Sequence, residues 1–380
     1  MTDAAEREML YDLVRRFARE QIAPHVTAWD EAGEFPRQLY RQAAELGLLG
    51  IGYPEELGGT AATHSLRAAL WLALCRYGGS GGVLASLLSH NIGLPPVVAL
   101  GSDALKQQVV PDVLLGRKIA ALAITEPGGG SDVAALRTRA RRDGHEYVIE
   151  GEKTFITSGM RADWITVAVR TGEERGASGI SLILVPGGSE GLRRSPLHKM
   201  GWQCSDTAHL LFDGVRVPAS HLLGAEGEGF RAIMQNFNGE RLGIACGALG
   251  FAQACYDEAL AWAQQRQTFG VTLNQHQVIR HKLVDMQQRL RSTEAWLNAV
   301  CARADGGDSG ADWVGEVCVL KNHATQTMQF CADTAVQILG GMGFMRGTLS
   351  ERIYREVKVL TIGGGTEEIM KELAARQWRI

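Results

Sequence analysis

Apolar side chains at Met9, Leu10, Leu13, Val14 and Phe17 recur at three- and four-residue spacing, with Arg15, Arg16 and Arg19 on other faces. That period predicts a helix. Pro24 limits its unkinked run, because proline has no N–H and its ring crowds the preceding turn. A second helix is expected over 43–49, closed by Gly50 and Gly52, and 54–59 reads as a loop. Further helices are expected over 66–77, 84–99 and 104–115. Near residue 120 the period changes. Segments 147–149, 164–169 and 180–185 are short, apolar and β-branched, with Gly and charged turns at 142–144 and 172–178 between them. Such runs predict strands, and 210–212 and 215–217 extend them to Pro218. From Gly229 the helical period returns over 230–265, 275–304, 312–340, 350–358 and 366–377, with Gly-Gly pairs at 306–307 and 340–341. The expected class is α+β and multidomain: a helical domain over 1–120, a small β domain over 121–222 and a helical domain over 223–380.

Composition narrows the function. A chain of 380 residues suggests two or three domains at about 150 residues each. Apolar residues at 45% and charged residues at 21% fit a globular protein with a large core. A net charge of -3 provides no polyanion-binding field, which argues against nucleic acid or an anionic membrane as partner. The seven cysteines form no C-x-x-C pair and several fall in apolar helical patterns. They are expected to be reduced and buried, without a disulfide framework or a zinc site. His90, His198 and His209 stand alone, so no metal is expected. The first ten residues lack a basic stretch leading into an apolar run, and no segment approaches a bilayer-spanning length. A cytoplasmic protein is expected.

Thr125-Glu-Pro-Gly-Gly-Gly-Ser-Asp132 follows the apolar run 119–124. A Gly-rich turn with hydroxyls offers backbone N–H groups to a ligand rich in acceptors; it is equally a plain turn after a strand. Trp164 and Thr166 alternate on an expected strand and so share a face. They suit a fused aromatic ring, and equally a core Trp with a neighbouring Thr.

The Thr125–Asp132 segment forms an ordered set with five others: Pro54-Glu-Glu-Leu-Gly-Gly59, Gly151-Glu-Lys-Thr-Phe-Ile-Thr157, Arg266-Gln-Thr-Phe-Gly270, Gln337-Ile-Leu-Gly-Gly341 and Gly364-Gly-Thr366. Over essentially the whole chain the set resembles the acyl-CoA dehydrogenase family. The resemblance implies a middle β-barrel or sandwich, a C-terminal four-helix bundle and an FAD cofactor. It places Ile124, Thr125, Gly130 and Ser131 along the isoalloxazine, with Trp164 and Thr166 against its other side. Arg266, Phe269, Gln277, Gln337, Gly340 and Gly341 would reach the FAD of a neighbouring subunit, and Thr366 and Glu368 would also touch FAD. Sites shared in this way imply a homo-oligomer, a dimer or a tetramer.

Many members carry a catalytic glutamate where this chain has Gly364, and glycine cannot take a proton. Glu240, in Phe237-Asn-Gly-Glu-Arg-Leu242, matches the position of the base in the isovaleryl- and long-chain-like members. Without the family, Glu240 reads as a solvated helix glutamate. With it, Glu240 removes the α-proton, and the Gly364 N–H remains a donor for the thioester oxygen. Ser131, Asn238, Arg241 and Gly363 are substrate-side candidates, and Arg241 is a candidate either to position the base or to hold the loop. Glu126 looks structural, and Glu367 has no assigned role. The implied reaction is dehydrogenation of an acyl-CoA to 2-enoyl-CoA, with electrons passing to an electron-transferring flavoprotein. Alternatives are an acyl-CoA oxidase, a carrier-protein-thioester dehydrogenase and a catalytically silent scaffold with a binding role.

Overall fold

The computed structural model describes residues 3–173 and 176–380, so part of the turn expected over 172–178 lies outside the described residues. The apolar stripe of the first segment forms α1 (Asp3–Phe17), burying Leu10, Val14 and Phe17. It relaxes into a π turn at Ala18–Ile22 just before Pro24. α2 (Val26–Ala32) and α3 (Gln38–Glu45) follow. The helix expected over 43–49 therefore lies earlier in the chain. Gly47 has φ +73°, which turns the chain out of α3 into the 3-10 turn Leu48–Gly50. The loop over 54–59 holds one 3-10 turn, Glu55–Leu57.

α4 (His64–Gly78) starts on Thr63, whose hydroxyl accepts the Leu66 N–H at 3.1 Å. The helix expected over 84–99 is broken into α5 (Gly81–Leu87), α6 (His90–Gly93) and α7 (Pro95–Leu100). Pro95 and Pro96 cannot donate to the preceding turn, so they open α7 and do not continue α6. α8 (Asp103–Leu114) completes the first layer.

The β domain comprises β1 (Ala120–Ala123), β2 (Arg139–Asp143), β3 (Glu146–Thr157), β4 (Trp164–Arg170), β5 (Ile180–Pro186), β6 (Leu192–Pro196), β7 (Thr207–Pro218) and β8 (Leu222–Leu223). The sheet order is β6-β7-β3-β2-β4-β5-β8, with β1 parallel to β4. The two short runs at 210–212 and 215–217 are one strand, β7, because β3 pairs with it from Pro218 back to Thr207.

α9 (Gly229–Gln265), the hairpin β9 (Gln267–Thr268) and β10 (Val271–Thr272), α10 (Gln277–Asp305), α11 (Ala311–Leu339), α12 (Gly341–Phe344), α13 (Leu349–Ile362) and α14 (Glu367–Trp378) form the last domain. α9 and α11 are its central pair, burying Ala248, Ala252 and Cys255 against Ala324, Met328 and Cys331 in a core shared with α1, α3 and α4. All seven cysteines are buried and free. No single helix among the described residues is long and apolar enough to cross a bilayer, and none of their His, Cys, Asp and Glu side chains cluster to hold a metal.

Candidate active site

Glu240 lies in the first third of α9, where Ile124, Val133 and Phe237 share one apolar cluster. The loop between α13 and α14 arrives beside it. A Cβ on Gly364 would stand 3.8 Å from Glu240 Oε1 and 2.8 Å from Ile244 Cδ1. Gly364 and Gly365 have φ of +67° and +108°, conformations that side-chain-bearing residues resist. The loop therefore needs glycine for its backbone, and a glutamate there would crowd Ile244 and approach Glu240.

Three contacts tie the loop down. The Gly363 N–H bonds the Val359 carbonyl at 2.7 Å, Arg241 Nε donates to the Gly364 carbonyl at 3.1 Å, and Lys321 Nζ donates to the Gly365 carbonyl at 2.6 Å. Arg241 is buried, also donates to Asn238 Oδ1 at 3.2 Å, and lies over the Phe237 ring. Of the two roles the sequence left open, its bond to the Gly364 carbonyl fits holding the loop. Glu367, which had no role, anchors the start of α14: its carbonyl accepts from Asn322 and its carboxylate from Gln326.

Glu240 Oε2 is shut off from solvent and has no hydrogen-bond partner. Burial pushes its pKa up to about 7, against the lowering pull of Arg241 and Lys321. A carboxylate that exchanges a proton near neutrality, with a free acceptor oxygen, is suited to general-base work.

The turn after β1 is braced from below. Glu126 accepts the N–H groups of Arg137 and Thr138 and the buried Lys153 ammonium, and Lys153 also reaches the Ile124 carbonyl. That fits the structural role expected of Glu126. Gly130 and Ser131 stay exposed at the rim of the turn. β3 runs alongside, with the Thr154 N–H on the Thr125 carbonyl at 2.9 Å. A register shift between Lys153 and Ile156 turns Phe155 outward, at φ 61° and 68% exposed. An aromatic ring held in a strained, solvent-facing pose beside a Gly-rich turn is a ready wall for a planar ligand. Thr157 is half-buried next to it.

This corrects the expectation for Trp164 and Thr166. They do share a face, but the register pairs Trp164 with Ala120 and Thr166 with Leu122. Trp164 thus sits roughly 16 Å of strand before Thr125, at about 3.3 Å per residue. It borders a different cavity of about 740 Å³, with Arg37, Lys118, Arg161 and Arg194. Thr166 is buried and its hydroxyl donates to the Gly93 carbonyl at 2.7 Å. Phe155 and Thr157, in the Gly151-Glu-Lys segment already singled out, are the residues that the fold brings to the turn.

The remaining candidates lie elsewhere. Arg266 follows α9, 26 positions beyond Glu240, roughly 39 Å away at 1.5 Å per residue. Phe269 in the hairpin is 98% exposed, and Gln277 opens α10. α9 and α11 run in the same direction, since Glu240 faces Lys321 and Cys255 faces Cys331. Gln337, Gly340 and Gly341 therefore fall at the hairpin end too, and a Cβ on either glycine would meet open space. Thr366 caps α14 through the Ile369 N–H, and with Glu368, Lys358 and Gln329 it lines a cavity of about 380 Å³. The candidates thus fall into two groups within one chain: those at the Thr125 turn and the Glu240 loop, and those at the hairpin end of the bundle. Hydroxyls, exposed glycine backbone, an unpaired aromatic and a guanidinium suit a flavin dinucleotide.

Comparison with known proteins bears on the family to which the chain belongs. Residues 4–117 match the model of the acyl-CoA dehydrogenase N-terminal domain, 121–215 that of the middle domain and 227–378 that of the C-terminal domain. The long-chain specific acyl-CoA dehydrogenase of mouse mitochondria is 36% identical over 98% of this chain and 86% of its own length. The structure of a probable acyl CoA dehydrogenase from Mycobacterium abscessus superposes with a TM-score of 0.95 at 48% identity, covering 98% of each chain. A glutaryl-CoA dehydrogenase from Mycobacterium smegmatis, solved in complex with FADH2, gives 0.89 at 26% identity, over 98% of this chain and 94% of that one. The order of the three domains, the glycine loop and the match along nearly the whole chain lead to one conclusion: this protein is an oxidoreductase of the acyl-CoA dehydrogenase family.

Proposed function

We propose that the protein dehydrogenates an acyl-CoA thioester to the 2-enoyl-CoA with Glu240 as the base, as in the long-chain and isovaleryl-like members. The observation that carries this is the unpartnered Oε2 of Glu240 beside the Gly364 backbone. Bound FAD supplies the two-electron acceptor for the hydrogen lost from the β-carbon. The chain supplies the rest. Glu240 takes the α-proton. Among the described residues the Gly364 N–H has no protein partner, so it is available to the thioester oxygen, where negative charge develops. Ile244 and Phe237 line the approach and keep water away. Ser131, Asn238 and Gly363 flank the thioester side of the site.

FAD is held by Ile124, Thr125, Gly130 and Ser131, with Phe155 and Thr157 from β3 and Thr366 and Glu368 at the start of α14. Arg266, Phe269, Gln277, Gln337, Gly340 and Gly341 complete the site of a neighbouring subunit. The exposed Phe269, Phe344 and Met345 at the hairpin end support a homo-oligomer, since such a cluster is seldom left in water. An electron-transferring flavoprotein in the cytoplasm takes the electrons.

The decisive experiment is anaerobic bleaching of the bound flavin by acyl-CoA. The wild type bleaches, whereas Glu240→Gln retains FAD and stays yellow. Full bleaching of Glu240→Gln sinks the assignment. Substrates from short straight to long and branched thioesters, tested the same way, define the chain preference, and rapid oxygen consumption would identify an oxidase instead.

A further inference from the structure

Lys321 belongs to α11, a helix that has no part in the reaction as described so far. Lys321 has no solvent exposure, an unfavourable place for an ammonium unless its charge and donors are matched. One donor is matched by the Gly365 carbonyl at 2.6 Å. The groups facing Lys321 are Arg241 and Glu240 from α9, Glu367 from α14 and Cys318 one turn back on α11. Burial holds the Lys321 ammonium down to about 8, with Arg241 lowering it further and Glu240 and Glu367 opposing.

The loop shows why such a lysine is needed. Three successive glycines have the greatest backbone freedom of any tripeptide and cannot fix their own conformation. Peptide planarity transmits each anchor to both ends of its unit. The peptide entering Gly363 is tied by Val359, the one leaving Gly364 by Arg241 and the one leaving Gly365 by Lys321. The peptide between Gly363 and Gly364 is left with its N–H free. Two cations from two helices thus fix the peptides that follow it.

We propose that Lys321 is a positioning residue for the reaction. It pins the Gly365 carbonyl so that the glycine loop presents the Gly364 N–H to the thioester, and its ammonium is the counter-charge that accompanies the ionised Glu240. The proposal rests on Glu240 being the base.

The test uses the FAD-bound protein, with Lys321→Met removing donor and charge and Lys321→Gln retaining a donor without charge. The rate of anaerobic flavin bleaching is followed across the pH range in which Glu240 ionises. Lys321→Met is expected to keep its flavin spectrum and to bleach at least about tenfold more slowly. Its rising pH limb should move up by about one unit, because a carboxylate stripped of a neighbouring cation holds its proton longer. Lys321→Gln recovers much of the rate above the limb but leaves the limb displaced. A limb in its wild-type place in both variants overturns the proposal, as does an unchanged bleaching rate in Lys321→Met. Should Lys321→Met fail to fold, the limb of Lys321→Gln decides alone. Bleaching that survives Glu240→Gln strikes the base assignment itself, whereas an unmoved limb with an inert Glu240→Gln strikes only Lys321.

Discussion

Arg241 Nε donates to the Gly364 carbonyl oxygen at 3.1 Å, so the residue next to the proposed base also holds the loop opposite it. This couples two segments 123 positions apart in the chain. The bond ties the start of α9 to the glycine loop and so helps set the spacing between Glu240 and Gly364.

Truncating that link has a predictable effect. Arg241→Ala leaves the half-buried Gly364 carbonyl and Asn238 Oδ1 without their donor and removes packing against Phe237. A buried polar group left unpaired costs about 1–3 kcal/mol. Urea unfolding should report a loss of about 2–4 kcal/mol, together with slower flavin bleaching. A variant within about 0.5 kcal/mol of wild type would show that the clamp is dispensable.

Glu240 predicts the pH dependence of stability. Its folded pKa, raised from 4.5 to about 7 by burial, means that the native state binds this proton more tightly than the unfolded chain. The stabilisation is complete below about 4.5 and is lost as pH rises through about 7, a change on the order of 3 kcal/mol. Glu240→Gln has no such proton to lose. Its melting temperature relative to wild type should therefore rise between about pH 5 and pH 8, by roughly 1 °C per kcal/mol for a chain of 380 residues. A constant difference across that range would mean that the carboxylate is not buried in solution.

Gly364→Ala tests whether the loop tolerates any side chain. The new methyl group meets Ile244 Cδ1 at 2.8 Å in a backbone with φ +67°, a left-handed conformation costing about 1–2 kcal/mol for a residue with a Cβ. Relaxation of the loop would redirect the Gly364 N–H. The expected outcome is a fall in kcat with stability reduced by about 1–3 kcal/mol, read by steady-state kinetics and thermal unfolding. Wild-type kcat in this variant would remove the loop backbone from the mechanism.

How much of this was legible depends on how local each signal is. The long helices were readable because an apolar stripe over 20 or more residues, as in α9, has one period and no rival. The break-up of 84–99 and the early end of α3 turn on Pro95 and Gly47, single residues that stop a helix within an otherwise helical pattern. The proposed base and its loop suggest themselves only as a pair: Gly364 alone looks like a loss and Glu240 alone like a surface acid. Trp164 misled because strand alternation states which residues share a face, not where along the neighbouring strand they fall. Its pairing with Ala120 is set by the whole sheet. Lys321 left no trace, since a single lysine in an amphipathic helix normally marks the solvated side and the carbonyl that it meets lies 44 residues away.

Phe155 separates a ligand role from a folding role. At φ 61° and 68% exposed it contributes little burial and bears backbone strain, so the apoprotein gains nothing evident from an aromatic residue there. Phe155→Gly should relax the strand and stabilise the FAD-free protein by roughly 1 kcal/mol, offset in part by the extra entropy of the unfolded chain. The same substitution removes an aromatic wall, and FAD affinity should fall about tenfold, equivalent to about 1.4 kcal/mol. Thermal unfolding of the apoprotein and titration with FAD measure the two effects independently. A variant that loses apoprotein stability while binding FAD as before would make Phe155 a structural residue and return the flavin wall to some other side chain.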